Sequence, residues 1–144
     1  MQSAARVLGV RLLPLVGATE SEIAAAFATL IEQRAGALLT GAGAMSVAAI
    51  DQIISLASRY AVPTLFFRRQ QVASGGLASY GIAPNELARE MGAYTGRILK
   101  GEKPAALPIL LPTKFEFVIN FKTAKALGLI IPETLLATAD EVIQ

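Results

Sequence analysis

At 144 residues, with 53% hydrophobic and 17% charged residues, the chain is long enough for one domain with a sizeable core and too apolar for wholesale disorder. Its net charge of +2 comes from Lys and Arg scattered among the acids, with Arg68-Arg69 as the nearest approach to a basic cluster, so a nucleic-acid partner is not expected. The lack of Cys and His removes thiol and imidazole catalysis and the side chains that most often ligate zinc, and neither a metal nor a cofactor is expected.

In chain order, Gln2 to Leu8 reads as the tail of an amphipathic helix ended by Gly9, and Val10 to Val16 as a short, mostly apolar strand. Arg6 followed by the apolar run to Ala18 looks faintly like a secretion signal, but Arg11 splits that run and a helix cap follows it, so it is read as folded structure. No apolar stretch is long enough to cross a bilayer. Thr19 with Glu22 forms a capping box that opens a helix to about Arg34, with Ile23, Phe27, Leu30 and Ile31 on one face. Ala37 to Thr40 is a short buried strand, Gly41 to Ala44 a tight loop, and Ser46 the cap of a helix to Tyr60 carrying Ile50, Ile53, Ile54 and Leu56. Pro63 to Phe67 and Leu77 to Gly81 are further strands, and Asn85 caps a helix from Glu86 to about Lys100. A proline-punctuated connector from Lys103 to Pro112 leads to a strand at Phe115 to Asn120, a short helix at Lys122 to Leu127, and a last helix that starts at Pro132 and fades before Asp140.

Strands alternating with helices through short loops predict an α/β fold: a Rossmann-like or flavodoxin-like three-layer sandwich with a mostly parallel sheet. In such sheets ligands meet the loops at the carboxyl ends of strands. Gly41-Ala42-Gly43 lies in that context, either as a tight turn, as amides meeting an anion, or as a partial dinucleotide fingerprint with Arg68 and Arg69 accepting a 2′-phosphate. Against the fingerprint, Ser46 stands where a third glycine belongs. Phe67 beside Arg68 suits a small ligand with an apolar body and a carboxylate. Tyr80 with Gly81 offers a hydroxyl and a ring at another strand end. Glu86, Glu90, Glu102 and Glu116 show no spacing that demands a catalytic pair, and no nucleophile and base stand together, so an enzyme is disfavoured.

Several fixed words carry a further signal: Gly75-Gly76-Leu77-Ala78-Ser79-Tyr80-Gly81, Arg97-Ile98-Leu99-Lys100-Gly101-Glu102-Lys103-Pro104, Pro112-Thr113-Lys114-Phe115-Glu116, Asn120-Phe121-Lys122-Thr123-Ala124-Lys125-Ala126-Leu127-Gly128 and Ala139-Asp140-Glu141-Val142-Ile143. Their order resembles the carboxyl end of the ABC transporter substrate-binding protein family, in the group of tryptophan- and tyrosine-binding components. The match runs from about Val10 to Gln144 and is densest after Gly75.

The resemblance implies one lobe of a type I periplasmic binding protein, non-catalytic, binding a small-molecule solute such as an amino acid in an inter-lobe cleft and serving an ABC transporter permease. It places the protein in the periplasm or another extracytoplasmic compartment. Gly41, Ala42, Gly43, Phe67, Arg68, Tyr80 and Gly81 would line the cleft. Family members are about twice as long, so residues 1–144 would be the carboxyl-terminal lobe with a crossing segment near 82–120, lacking the first lobe and the strand ahead of Gln2. The gap left in the sheet is then expected to be filled by Phe115 to Asn120 moving in, or by exchange within a homodimer whose surface is the apolar side of the helix at 86–100. The same fold also serves as the effector-binding domain of transcription regulators, but no DNA-reading helix-turn-helix is visible.

Overall fold

The computed structural model describes residues 2–41, 43 and 47–144. The chain divides into two compact units, one up to Thr64 and one from Leu65 onward. Ala42, Ala44 and the expected cap Ser46 lie outside the described residues.

The first unit contains α1 (Gln2–Val7), α2 (Glu20–Glu32), β1 (Leu38–Leu39) and α3 (Val47–Arg59). Helix α2 starts as its sequence predicts: Thr19 Oγ1 accepts from the Glu22 amide at 3.3 Å, while Glu22 Oε2 accepts from Ala18 and Thr19 amides at 2.8 and 3.1 Å. These amides hold the Glu22 carboxyl below the usual carboxylate range. The buried stripe is Ile23, Phe27 and Leu30, packed on α3, which buries Ala49, Ile50, Ile53 and Ala57. Ile31, expected in that stripe, is 40% exposed.

The strand expected at Val10 to Val16 does not form. The segment has strand composition, but the amides of Leu12, Leu13, Leu15 and Val16 donate to no other described residue, and a strand exists only where a neighbour completes its ladder.

The boundary between the units falls inside β2 (Thr64–Phe66). The second unit continues with α4 (Arg69–Ala73), β3 (Ala78–Ile82), α5 (Pro84–Leu99), a 3-10 turn (Pro104–Ala106), β4 (Phe115–Asn120), α6 (Phe121–Ala126), α7 (Glu133–Leu136) and β5 (Glu141–Ile143). The result is an α/β fold with a mixed, mostly parallel five-stranded sheet in the order β1-β2-β3-β4-β5. The β2–β3 and β4–β5 pairings are parallel and β3–β4 is antiparallel, in a register that sets Gly81 against Glu116 and Tyr80 against Phe117. Strand β4 therefore lies between β3 and β5, and the expectation that it moves in beside the 10–16 segment is overturned. Pairing with β3 offers a longer ladder than a two-residue β1 could.

Helix α5 begins at Pro84 with Ala83 as its cap, not at Asn85, because proline is pre-set for the first helical turn, where no amide partner is needed. Neither α4 nor β5 was expected. The core of this unit is Phe66, Val72, Val118, Ile119 and Ala124.

Candidate functional site

A clasp of side-chain hydrogen bonds builds one face of the second unit. Asn120 caps α6 by accepting from the Thr123 amide at 3.0 Å and donates through Nδ2 to the Val72 carbonyl at 3.1 Å. Thr123 Oγ1 donates to the Gly75 carbonyl at 3.0 Å. The loop after α4 is thus tied to the end of β4 by the residues of the Asn-Phe-Lys-Thr word. Gln71 Oε1 reaches back to accept from the Phe67 and Arg68 amides at 3.2 and 2.9 Å, fixing the loop between β2 and α4.

Side chains on paired antiparallel strands share a face when they stand opposite one another. Ser79, Gly81, Glu116 and Val118 therefore lie on one side of the sheet, and Tyr80 with Phe115 and Phe117 on the other. On the first side is a cavity of about 140 Å³ lined by Phe67, Arg68, Arg69, Gln70, Ser79, Gly81, Ile82, Pro84, Leu87 and Glu116. Of its lining residues, Arg69 makes a bidentate pair in which Nε and Nη2 donate to Glu141 Oε2 and Oε1, both at 2.6 Å. This pairing raises the Arg69 guanidinium's pKa, with a lesser contribution from the nearby Glu116 charge, and lowers that of Glu141. Arg68 has no ion-pair partner among the described residues.

Of the residues singled out from sequence, the structure brings Phe67, Arg68 and Gly81 together on this cavity. It does not bring Tyr80 there. Tyr80 is 53% exposed on the opposite face, stacked on Phe115 at 5.5 Å between ring centroids and edge-on to Phe117 at 6.4 Å. Gly41 lines a separate apolar cavity of about 130 Å³ within the first unit, with Leu15, Phe27, Leu30 and Ile53 among its walls. Gly43 is exposed, and Ala42 lies outside the described residues. Arg69, named from sequence as a phosphate ligand, is instead committed to Glu141. Sequence reasoning passed over Glu116, Ser79 and Leu87 as cavity residues. The alternation of β4 was visible, but its register against β3 was not. Among the described residues no group of three or more Asp, Glu, His or Cys could hold a metal ion.

The chain matches the family model described as ABC transporter substrate binding protein over residues 1–143. A conserved domain protein from Vibrio cholerae O1 biovar El Tor is similar in structure, with a TM-score of 0.87 at 23% identity, covering 98% of this chain and 47% of that one. An ABC domain in complex with L-Trp from Streptococcus pneumonia gives a TM-score of 0.85 at 28% identity, covering 98% and 49%. A ligand-free, open substrate binding protein with adhesive properties from Clostridium difficile gives 0.69 at 20% identity, covering 99% and 48%. The chain thus spans about half the length of each of these structures. No curated protein matches it.

Proposed function

We propose, from the premise that the chain belongs to the ABC transporter substrate binding protein family, that it binds a small solute without catalysis and that the cavity of its second unit is the solute-contacting surface. The observation that carries this reading is the composition of that cavity. It lies where β2 and β3 end, and it combines apolar lining from Phe67, Pro84 and Leu87 with a guanidinium at Arg68 that has no ion-pair partner among the described residues. Concave, mostly apolar surfaces with a few fixed polar groups are the usual form of a small-molecule site. The solute best suited to it has an apolar body and a carboxylate, and a hydrophobic amino acid meets both requirements. The L-Trp bound to the Streptococcus pneumonia domain supports that choice.

Residues 1–144 then act as one solute-binding lobe, with 82–120 as the segment that crosses toward a partner lobe in longer relatives. The solute is handed to the permease of an ABC transporter outside the cytoplasm. Closure of lobes around the ligand, rather than covalent chemistry, is the working step.

The test is a thermal-shift series on the 144-residue chain with L-tryptophan, L-leucine and NADP. Binding to the folded state raises the midpoint by mass action, about 2.7 kcal/mol of stabilisation at a hundredfold excess over Kd. Stabilisation by an amino acid is expected. Stabilisation by NADP alone, or by nothing, overturns the reading.

A further inference from the structure

The solute-binding reading leaves the one acidic residue of the cavity without a task, and the inference drawn from it rests on that reading. Glu116 is half-buried near the start of β4 and lines the cavity. Its register partner is Gly81, which has no side chain, so nothing on the neighbouring strand covers the Glu116 carboxylate on that face. The Glu116 carboxylate makes no hydrogen bond or ion pair with any described residue, although Arg69 is close enough for their charges to interact.

Arg69 cannot serve Glu116 fully, because its Nε and Nη2 are both engaged by Glu141. The four charged groups on this face therefore sort into a closed pair, Arg69 with Glu141, and two open groups of opposite sign, Arg68 and Glu116. Arg68 is exposed at the edge of the cavity and Glu116 is half-buried, so each is open to a ligand group of opposite charge. One molecule would meet both: a zwitterion, its carboxylate on the Arg68 fork and its ammonium on the Glu116 oxygens. Phe67, Pro84 and Leu87 remain for the side chain.

We propose that Glu116 holds the ammonium of the solute and Arg68 its carboxylate, so that the cavity selects free α-amino acids over the matching carboxylic acids and amines. The closed pair has a supporting role. It removes a second cation from the wall, which would otherwise favour a plain anion and weaken discrimination.

Calorimetric titration of the 144-residue chain with L-tryptophan, indole-3-propionate and tryptamine tests this. The three share a ring system, and the last two each lack one charged group. Binding of L-tryptophan is expected to exceed that of either analogue by about 10- to 100-fold, the range of a charge-assisted hydrogen-bond pair. Glu116→Gln should weaken L-tryptophan by a similar factor and leave indole-3-propionate unchanged, while Arg68→Gln should weaken L-tryptophan and indole-3-propionate and leave tryptamine unchanged. Glu116→Asp, which keeps the charge, should retain part of the preference and guards against a folding defect in the Gln variant. An unaltered ratio of L-tryptophan to indole-3-propionate in Glu116→Gln, or equal binding of all three by the parent chain, overturns the assignment while leaving a solute site standing. If none of the three binds, and L-leucine with its acid and amine counterparts also fails, the solute reading falls and the assignment falls with it.

Discussion

Gly81 stands where the Phe67 carbonyl comes so close that any Cβ would overlap it. Gly76 is under similar pressure, since a Cβ there would lie 2.6 Å from the Phe66 ring and 2.7 Å from the Gln71 carbonyl oxygen. Gly75 answers a different demand, with φ at +111°, a backbone conformation that side chains disfavour. Three glycines of one short word thus serve two separate needs, close approach and handedness. Because Gly81 abuts the carbonyl of the residue just before Arg68, the substitution Gly81→Ala must push that loop away from β3. It is expected to cost on the order of 1–3 kcal/mol, as overpacking does, and to weaken solute binding as well. Urea denaturation gives the first effect and the titrations described above the second; an alanine variant as stable as the parent would show that the loop yields freely. Asn120 is the converse case, a side chain needed for what it reaches. Asn120→Ala removes the α6 cap and one of the two donors to the Val72 carbonyl, the Gly75 amide at 3.0 Å remaining, at a cost of about 1–2 kcal/mol. A fall of several degrees in the melting midpoint checks it.

At the scale of elements, the Arg69–Glu141 pair joins α4 to β5, and Asp140 adds to the junction by accepting from the Phe117 amide at 2.7 Å. Both α4 and β5 are too short to show a hydrophobic period, which is why neither was legible in the sequence, while α2, α3 and α5 were. The Ala139–Ile143 word was visible as a word, but its partners, Arg69 and Phe117, lie far off along the chain. The same limit explains the site. Phe67 and Arg68 announce themselves as neighbours at a strand end, whereas Glu116 joins them only through the β3–β4 register, and Tyr80 leaves them for the same reason. The segment at 10–16 failed oppositely, having strand composition without a ladder partner. The ion pair predicts a pH dependence. Glu141 has a lowered pKa in the folded chain, so its contribution is fully present above the ordinary carboxylate value of about 4.3 and is lost as pH falls through the lower folded value. The melting midpoint of the parent should exceed that of Glu141→Gln near neutrality, and the gap should close in acid. A gap that stays constant down to the acid limb would mean that Glu141 acts through packing alone.

For the whole molecule, the weightiest unexplained surface is α5 and the connector after it. None of the residues of α5 is buried, although Leu87, Met91, Tyr94 and Ile98 recur at helical spacing as an apolar stripe. Met91 is 63% exposed, and Ile109 and Leu111 on the connector are 95% and 79% exposed. Tyr94 donates its hydroxyl to the Pro108 carbonyl, which fastens the connector to the helix and places its apolar residues close to the stripe. Apolar surface continued over two segments in this way marks an interaction site more often than a free surface. In an isolated sample of this chain the available partner is a second copy, through a self-complementary contact of the two-fold kind. A light-scattering mass of two chains at tens of micromolar is therefore expected. Met91→Lys combined with Ile98→Glu should return it to one chain while leaving the far-ultraviolet circular dichroism unchanged, because neither side chain contributes to the core. Leu87 is left untouched in that variant because it also lines the solute cavity. If the parent chain is monomeric across that concentration range, the stripe is not a self-association surface. If the double variant stays dimeric, the contact lies elsewhere on the chain.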